Sequence, residues 1–278
     1  MHVPVRRFPG HALLQRFSFA IPPPKVFYPL IKPWLKKGGF VARPFDGGET
    51  VLLAEWITPP VIHDFFSGVI ESNPELKLLD ESWHKVEQKP GCLVDVGAAV
   101  GSHVVWMRHR SDKPIIAFEP APPTWACLQR TIKINCLEDV ELKQLGCGAS
   151  DGEITLELGA NSAVATDQTT GPTSTVKVVR LDDVLPTTAF IKIDVEGMER
   201  GVLEGARRTI ERDHPVLWIE GHPTAIGRFG HSIDELYEQL TKWGYKTSTQ
   251  AIVDHKSEAV TWASLRASPP VQIHILAE

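Results

Sequence analysis

The stretch that most limits what this chain can fold into is Leu93-Val94-Asp95-Val96-Gly97-Ala98-Ala99-Val100-Gly101-Ser102-His103. Leu93 to Val96 reads as a short buried strand, apolar except for Asp95 near its carboxyl end. Gly97 and Gly101 bracket a turn in which larger side chains would hold a ligand away from the backbone. Ser102 is a candidate N-cap, and Val104, Val105 and Met107 begin a helix. Strand, small-residue loop and helix N-terminus form a cradle whose free N–H groups point at an anionic or polar ligand. The same pattern also serves as a plain tight turn, so the rest of the chain has to decide.

From Gly91 onward the pattern is regular. Strands are predicted at 92–97, 114–119, 139–145, 188–194, 215–221 and 271–276, with helices at 102–110, 122–136, 198–211 and 232–243. Near-continuous apolar strands alternating with amphipathic helices predict an α/β fold, a doubly wound, mostly parallel sheet covered on both faces. Segment 152–180 breaks the rhythm: Ile154-Thr155-Leu156-Glu157-Leu158 alternates, a polar loop follows, and Val176-Lys177-Val178-Val179 resumes. That predicts a hairpin insertion with a mobile loop near 159–174. Tyr245 to Glu278 should add the last one or two strands, with Asp254-His255-Lys256 at a turn.

Ahead of this core, residues 1–50 carry prolines, basic side chains and the aromatics Phe8, Phe17, Phe19, Phe27, Tyr28 and Trp34 without a clean period. They read as an arm that packs on a neighbouring domain or subunit, or as a lid over the site. Residues 51–57 fit a strand, and 63–86 fit two short helices broken at Asn73-Pro74. The expected division is an arm and helical lead-in over 1–90 and a catalytic domain over 91–278. An aromatic arm of this kind favours a homodimer.

A net charge of −5 with no long basic run argues against nucleic acid as the main partner. No apolar run reaches the roughly 18 residues of a membrane span. The N-terminal apolar stretch is broken by Gln15, Arg16 and Pro22-Pro23-Pro24, which argues against a signal peptide and for a cytoplasmic protein. Cys92, Cys127, Cys136 and Cys147 lack C-x-x-C spacing and read as buried reduced thiols.

In open α/β sheets ligands sit at the carboxyl ends of the strands, beside the strand-order reversal. The second strand ends in Glu119-Pro120, and Glu119 lies about 20 residues past the glycine loop, where a carboxylate can accept the ribose hydroxyls of a nucleoside. Its alternative is an acid at a helix N-terminus. The fourth strand, Phe190-Ile191-Lys192-Ile193-Asp194-Val195-Glu196-Gly197-Met198-Glu199, ends in three acids that repel one another unless ligands, cations or N–H groups offset them. Glu196 and Glu199 could instead serve the next helix's N-terminus, whereas Asp194 favours a functional role.

The Lys192–Glu199 stretch with Val202-Leu203 and Gly205-Ala206 resembles the signature of the FkbM family of S-adenosylmethionine-dependent methyltransferases. Asp95-Val96-Gly97-Ala98-Ala99-Val100-Gly101 is similar to that family's cofactor motif, as is Ala117-Phe118-Glu119-Pro120 with Leu128 and Asn135. Leu181-Asp182 also matches. The resemblance covers about residues 90–245. Two positions depart: Ala99 stands where the family usually has Asn, which removes a polar contact, and Thr131 where it often has another. The resemblance implies a class I methyltransferase fold, S-adenosylmethionine as cofactor, and a small hydroxylated acceptor such as a sugar or natural product. The candidate cofactor contacts are Asp95, Gly97, Ala98, Ala99, Gly101, Ser102, Glu119, Pro120, Gly148, Ala149 and Asp194.

Methylating an alkyl hydroxyl requires proximity, alignment and removal of its proton by a base or a metal. Candidates are Asp194 and, from the fifth strand's end, Glu220 and His222, which share a face if the strand continues. A neutral His222 is the expected base. Alternatively Asp194, Glu220 and His222 hold a divalent cation such as magnesium. His103 is a lesser candidate for a cofactor contact, and Trp56, Trp125 and Trp218 read as core. Two rivals stand beside this reading. An NAD-dependent oxidoreductase needs the third glycine of G-x-G-x-x-G, which 97–102 lacks; a catalytically silent scaffold would have lost Glu119 or Asp194.

Overall fold

A computed structural model describes residues 40–45, 48–53, 74–158, 162–253, 256–261, 265 and 273–278. Expectations for the arm over 1–39, for Trp56 and for a helix over 63–73 lie outside the described residues. In chain order the elements begin with a hairpin, β1 (Phe40–Phe45) and β2 (Gly48–Leu53), then α1 (Pro74–Gln88), β3 (Cys92–Val96), α2 (Ser102–Arg110) and β4 (Ile115–Phe118). They continue with α3 (Pro122–Ile134), β5 (Val140–Lys143), β6 (Gly146–Cys147), β7 (Gly152–Glu157), β8 (Ala163–Val164) and β9 (Thr173–Val179). Then come β10 (Thr188–Ile193), α4 (Glu199–Gly205), α5 (Arg207–Asp213), β11 (Val216–Gly221) and α6 (Pro223–Ile226). The last are α7 (Ile233–Lys242), β12 (Thr247–Val253), β13 (Lys256–Ala259) and β14 (Ile273–Ala277).

The main sheet has the order β13-β12-β14-β11-β10-β3-β4-β5. β11, β10, β3, β4 and β5 are parallel, and β14, β12 and β13 close the sheet antiparallel. The chain winds outward from β3 to β5 and restarts at β10 on β3's other flank, so the strand-order reversal falls between β3 and β10. This is the doubly wound, mostly parallel sheet that the resemblance implies.

The strands read as apolar because both faces are covered, and a period of two sorts their side chains. Val94, Val96, Ile191, Ile193, Leu217 and Ile219 pack on Val202, Leu203, Ile210, Leu236 and Leu240 from α4, α5 and α7. Leu93, Ala117, Phe190, Val216 and Trp218 pack on α1, α2 and α3 through Leu79, Val86, Val104, Met107 and Leu128. Trp83 of α1 meets Trp106 edge-on with ring centres 4.7 Å apart, the geometry aromatic quadrupoles prefer. Thus α1, from the expected lead-in, packs into the same core as the sheet.

The structure departs from expectation in several places. The helix expected at 198–211 is two, because the backbone turns at Ala206 (φ −104°, ψ 6°). The C-terminal segment adds three strands. Ser102 does not cap α2: Gly101 holds the N-cap position at φ 91°, and no side chain caps the helix. Cys136 is exposed, at the end of α3 with φ 50°, while the other three cysteines are buried. The α7 boundary is fixed by a capping box, in which Ser232 accepts from the Glu235 N–H and Glu235 accepts from the Ser232 N–H. No helix among the described residues is long and apolar enough to cross a membrane.

The expected hairpin insertion is present. β7 and β9 pair antiparallel over 152–157 and 173–178, and β6 and β8 complete a four-stranded sheet. It packs Leu156 and Val176 against Ala121 at the start of α3, which sets it beside the carboxyl ends of the main strands.

Candidate active site

At those strand ends lies a cavity of about 290 Å³, at the lower end of the size range of small-molecule sites. Its floor is the end of β3 and β4, with Gly97, Ala99, Glu119 and Pro120; one wall is the insertion, with Ile154, Leu156 and Val164; the far end holds Asp194, Glu196 and Glu220. It therefore spans the strand-order reversal.

The turn after β3 is glycine for a steric reason. Gly97 has φ 82°, and a Cβ there would lie 1.8 Å from the Asp194 carbonyl oxygen. Only glycine lets the ends of β3 and β10 approach this closely. Four N–H groups of the expected cradle are engaged within the protein. The N–H groups of Gly97 and Ala98 donate to the Phe118 carbonyl, that of Gly101 to the Ala98 carbonyl, and that of Ala99 to Glu119 Oε2 at 2.9 Å. The neighbouring strand supplies acceptors that the sequence alone does not reveal. Ala99 has φ 47°, a region in which asparagine is enriched; the residue usual in the family suits this backbone whether or not it touches a ligand.

Glu119 is held by three protein donors. Its Oε1 accepts from the Ala121 N–H at 2.9 Å and the Thr124 hydroxyl at 2.7 Å, and its Oε2 from Ala99. A carboxylate has about four acceptor positions, so with three taken inside the protein Glu119 keeps about one toward the cavity, enough for one ribose hydroxyl rather than the expected pair. Burial raises its pKa, and those three hydrogen bonds work against the rise.

The far end is organised by a group that sequence reasoning passed over. Lys192 is only 2% exposed and lies in register beside Asp95. Its Nζ sits 3.2 Å from Asp95 Oδ1, 3.3 Å from Asp194 Oδ2 and 3.4 Å from the Gly97 carbonyl. Burial disfavours its charge, but Asp95, Asp194 and Glu220 outweigh that and hold the pKa above the ordinary lysine range. The signal was available: a lysine inside an apolar strand needs a buried partner.

His222 follows β11 and donates through Nδ1 to Glu199 Oε1 at 2.8 Å, while Nε2 lies 3.5 Å from Glu220 and 3.7 Å from Glu196. Burial lowers its pKa, yet the bonds to Glu199 and Glu220 and the charge of Glu196 raise it on balance to about 11. The expectation of a neutral His222 base therefore gives way to an imidazolium at neutral pH, because three carboxylates surround the ring. Glu199 is fully buried and also accepts from the Gly197 N–H at 2.9 Å, so it anchors His222 as well as starting a helix. Asp194 moves the other way: burial drives its pKa up to about 7, more than Lys192 and His222 lower it. Glu220 is driven down, since His222, His274 and Lys192 overcome its burial. His103 is pushed down to about 4 by burial and Lys192.

Of the candidate cofactor contacts, Gly97, Ala99, Glu119, Pro120 and Asp194 line the cavity. Asp95, Ala98, Gly101, Ser102, Gly148 and Ala149 are not among its lining residues. Asp95 is fully buried beneath the loop on Lys192, and Ala98 is core. Gly101 backs on Leu128, and Gly148 on Gly205, where a Cβ would come within 2.0 Å of its carbonyl oxygen; these are packing glycines. Asp194, Glu220 and His222 come together, with donor atoms within 4.8 Å of one another. Trp218 is core, and Trp125 packs at the core's margin.

The chain is 28% identical over 176 residues, 49% of its length and 71% of the relative's, to Methyltransferase 1 of Beauveria bassiana. It is similar to the crystal structure of Methyltransferase FkbM from Methylobacillus flagellatus (TM-score 0.44, 16% identity), covering 77% of this chain and 54% of that one, so it spans about half of that protein. It is also similar to magnesium protoporphyrin IX methyltransferase from Synechocystis (TM-score 0.43, 10% identity), covering 76% and 83% of the two chains. Residues 95–247, more than half of the chain, match the methyltransferase FkbM domain, and the protein belongs to that family.

Proposed function

We propose that this methyltransferase transfers the methyl group of S-adenosylmethionine to a hydroxyl of a small molecule, a sugar or natural product, with Asp194 as the proton acceptor. The observation that carries the reading is the reach of one cavity from Glu119 at the end of β4 to Asp194 and Glu220 at the ends of β10 and β11. The residues suit the cofactor. Glu119, Pro120, Gly97 and Ala99 offer a carboxylate and a close backbone for a nucleoside, and the acid-rich end suits a positive charge.

When bound, S-adenosylmethionine supplies an electrophilic methyl group. The chain's own part is to place and deprotonate the acceptor. Asp194, about a quarter exposed, takes the hydroxyl proton on its carboxylate; a pKa of about 7 sets it near the operating pH. Glu220, with its pKa lowered, stays ionised beside it, and the two carboxylates thereby divide into a base and a fixed charge. His222 as an imidazolium holds Glu220 and Glu196 in place rather than accepting the proton.

A second reading rests on the 4.8 Å cluster of Asp194, Glu220 and His222, which a divalent cation such as magnesium could bridge. Such binding must expel the His222 proton. Turnover lost to a chelator and restored by magnesium would favour that reading.

The first test is thermal unfolding with S-adenosylhomocysteine and, separately, NAD. Ligand at about 100 times its Kd adds roughly 2.7 kcal/mol, a shift of several degrees. A shift with S-adenosylhomocysteine alone is expected and leads to a screen of hydroxylated acceptors with methyl-labelled cofactor. A shift with NAD alone overturns the cofactor, and label recovered only on nitrogen overturns the oxygen acceptor.

A further inference from the structure

The described residues lining the cavity include four carboxylates, Glu119, Asp194, Glu196 and Glu220, and no lysine, arginine or histidine. Glu119 is answered by three donors within the protein. The other three crowd the far end. The basic groups nearest them, Lys192, His222 and fully buried His274, stand behind the wall: Lys192 is shared with fully buried Asp95 and His222 with fully buried Glu199, while His274 Nε2 lies 3.6 Å from Glu220 Oε2. Negative charge therefore exceeds positive charge on the side that faces the cavity. Glu196 sharpens the point. It is a non-glycine residue at φ 53°, a strained backbone that presents its carboxylate at the cavity.

In a pocket shielded from water, charges interact more strongly than in solution. S-adenosylmethionine carries a sulfonium charge that S-adenosylhomocysteine lacks; the two are otherwise alike apart from the methyl group. Resting on the cofactor reading above, we propose that this acid-rich end sorts the two by charge, holding the sulfonium form more tightly than the neutral thioether. The spent form is then the weaker ligand, and exchange is favoured by the loss of charge itself.

The test is calorimetric titration of the full chain with each compound, in buffer above the Asp194 midpoint. The expected Kd for S-adenosylmethionine is at least about tenfold below that for S-adenosylhomocysteine. In Glu196→Gln the ratio should fall by about threefold or more, with S-adenosylhomocysteine affinity unchanged, since the neutral ligand reports only on fold and shape. Equal or tighter binding of S-adenosylhomocysteine in the unaltered protein overturns the proposal and leaves the cofactor reading standing. So does a ratio that Glu196→Gln does not move. Failure of both compounds to bind overturns the cofactor reading instead.

Discussion

The ends of β3 and β10 are spelled alike, Asp95-Val96 and Asp194-Val195, and both aspartates lean on Lys192, yet they do different work. Asp95 lies inside its strand and is fully buried; Asp194 lies one residue past its strand, is 26% exposed and lines the cavity. After Val96 the chain turns at once on Gly97, whereas after Val195 it inserts Glu196 before Gly197. A shift of two positions relative to the strand end converts a buried counter-charge into a group that can meet a substrate.

That contrast can be broken most directly at Asp194. Asp194→Asn should lower methyl transfer by about 10²- to 10⁴-fold, measured with labelled cofactor on an acceptor from the screen. Its folded pKa of about 7 lies above the ordinary aspartate value of 3.8, so the folded state binds the proton more tightly. The residue's contribution to stability is therefore lost as pH rises through that window. The variant should unfold no earlier than the parent above neutral pH; a clear loss of stability would make Asp194 a structural acid like Asp95.

Next in size is Lys192→Met, which leaves two carboxylates beside an empty charge position and should lose about 3–5 kcal/mol in urea unfolding. Replacing the buried pair together, as Asp95→Asn with Lys192→Met, should recover all but about 1–2 kcal/mol. A double variant as unstable as the single one would show that Asp95 and Lys192 are not one unit. Glu119→Ala should weaken S-adenosylhomocysteine binding by about 1.5–3 kcal/mol through lost charge-assisted hydrogen bonds; unchanged affinity sinks the nucleoside role.

The smallest effect concerns pH. Turnover should rise with pH to a plateau, with a midpoint near 7, as Asp194 loses its proton. His222→Gln should move that midpoint upward, because the imidazolium lowers the Asp194 pKa, by up to about one unit. An acid limb that disappears in His222→Gln returns the base to the histidine.

The sheet was legible from residues because strands covered on both faces are apolar almost without interruption: Leu93 to Val96, Ile115 to Phe118 and Val216 to Ile219 announce themselves. The break at Ala206 was not, since α4 and α5 continue one apolar stripe across it. Glu119, Asp194 and Glu220, which line the cavity, are legible as the residues at which strands end. Lys192 and Glu199 were missed as partners, because what they pair with follows from strand register and from a loop that returns from another element. The same limit hid the engaged N–H groups of the glycine turn, whose acceptor is the carbonyl of Phe118 one strand away.

The missing Cβ of Gly97 carries a further consequence. With its backbone pressed on the Asp194 carbonyl, the first turn cannot be displaced without displacing the second, so the floor and the acid-rich end behave as one machined part. Variation that reshapes this enzyme for a new acceptor has little latitude there. It has more on the insertion, where Ile154, Leu156, Ser162, Ala163 and Val164 form a wall belonging to a separate small sheet. Diversification of such a scaffold should be written in the hairpin, while the chemistry stays in the turns.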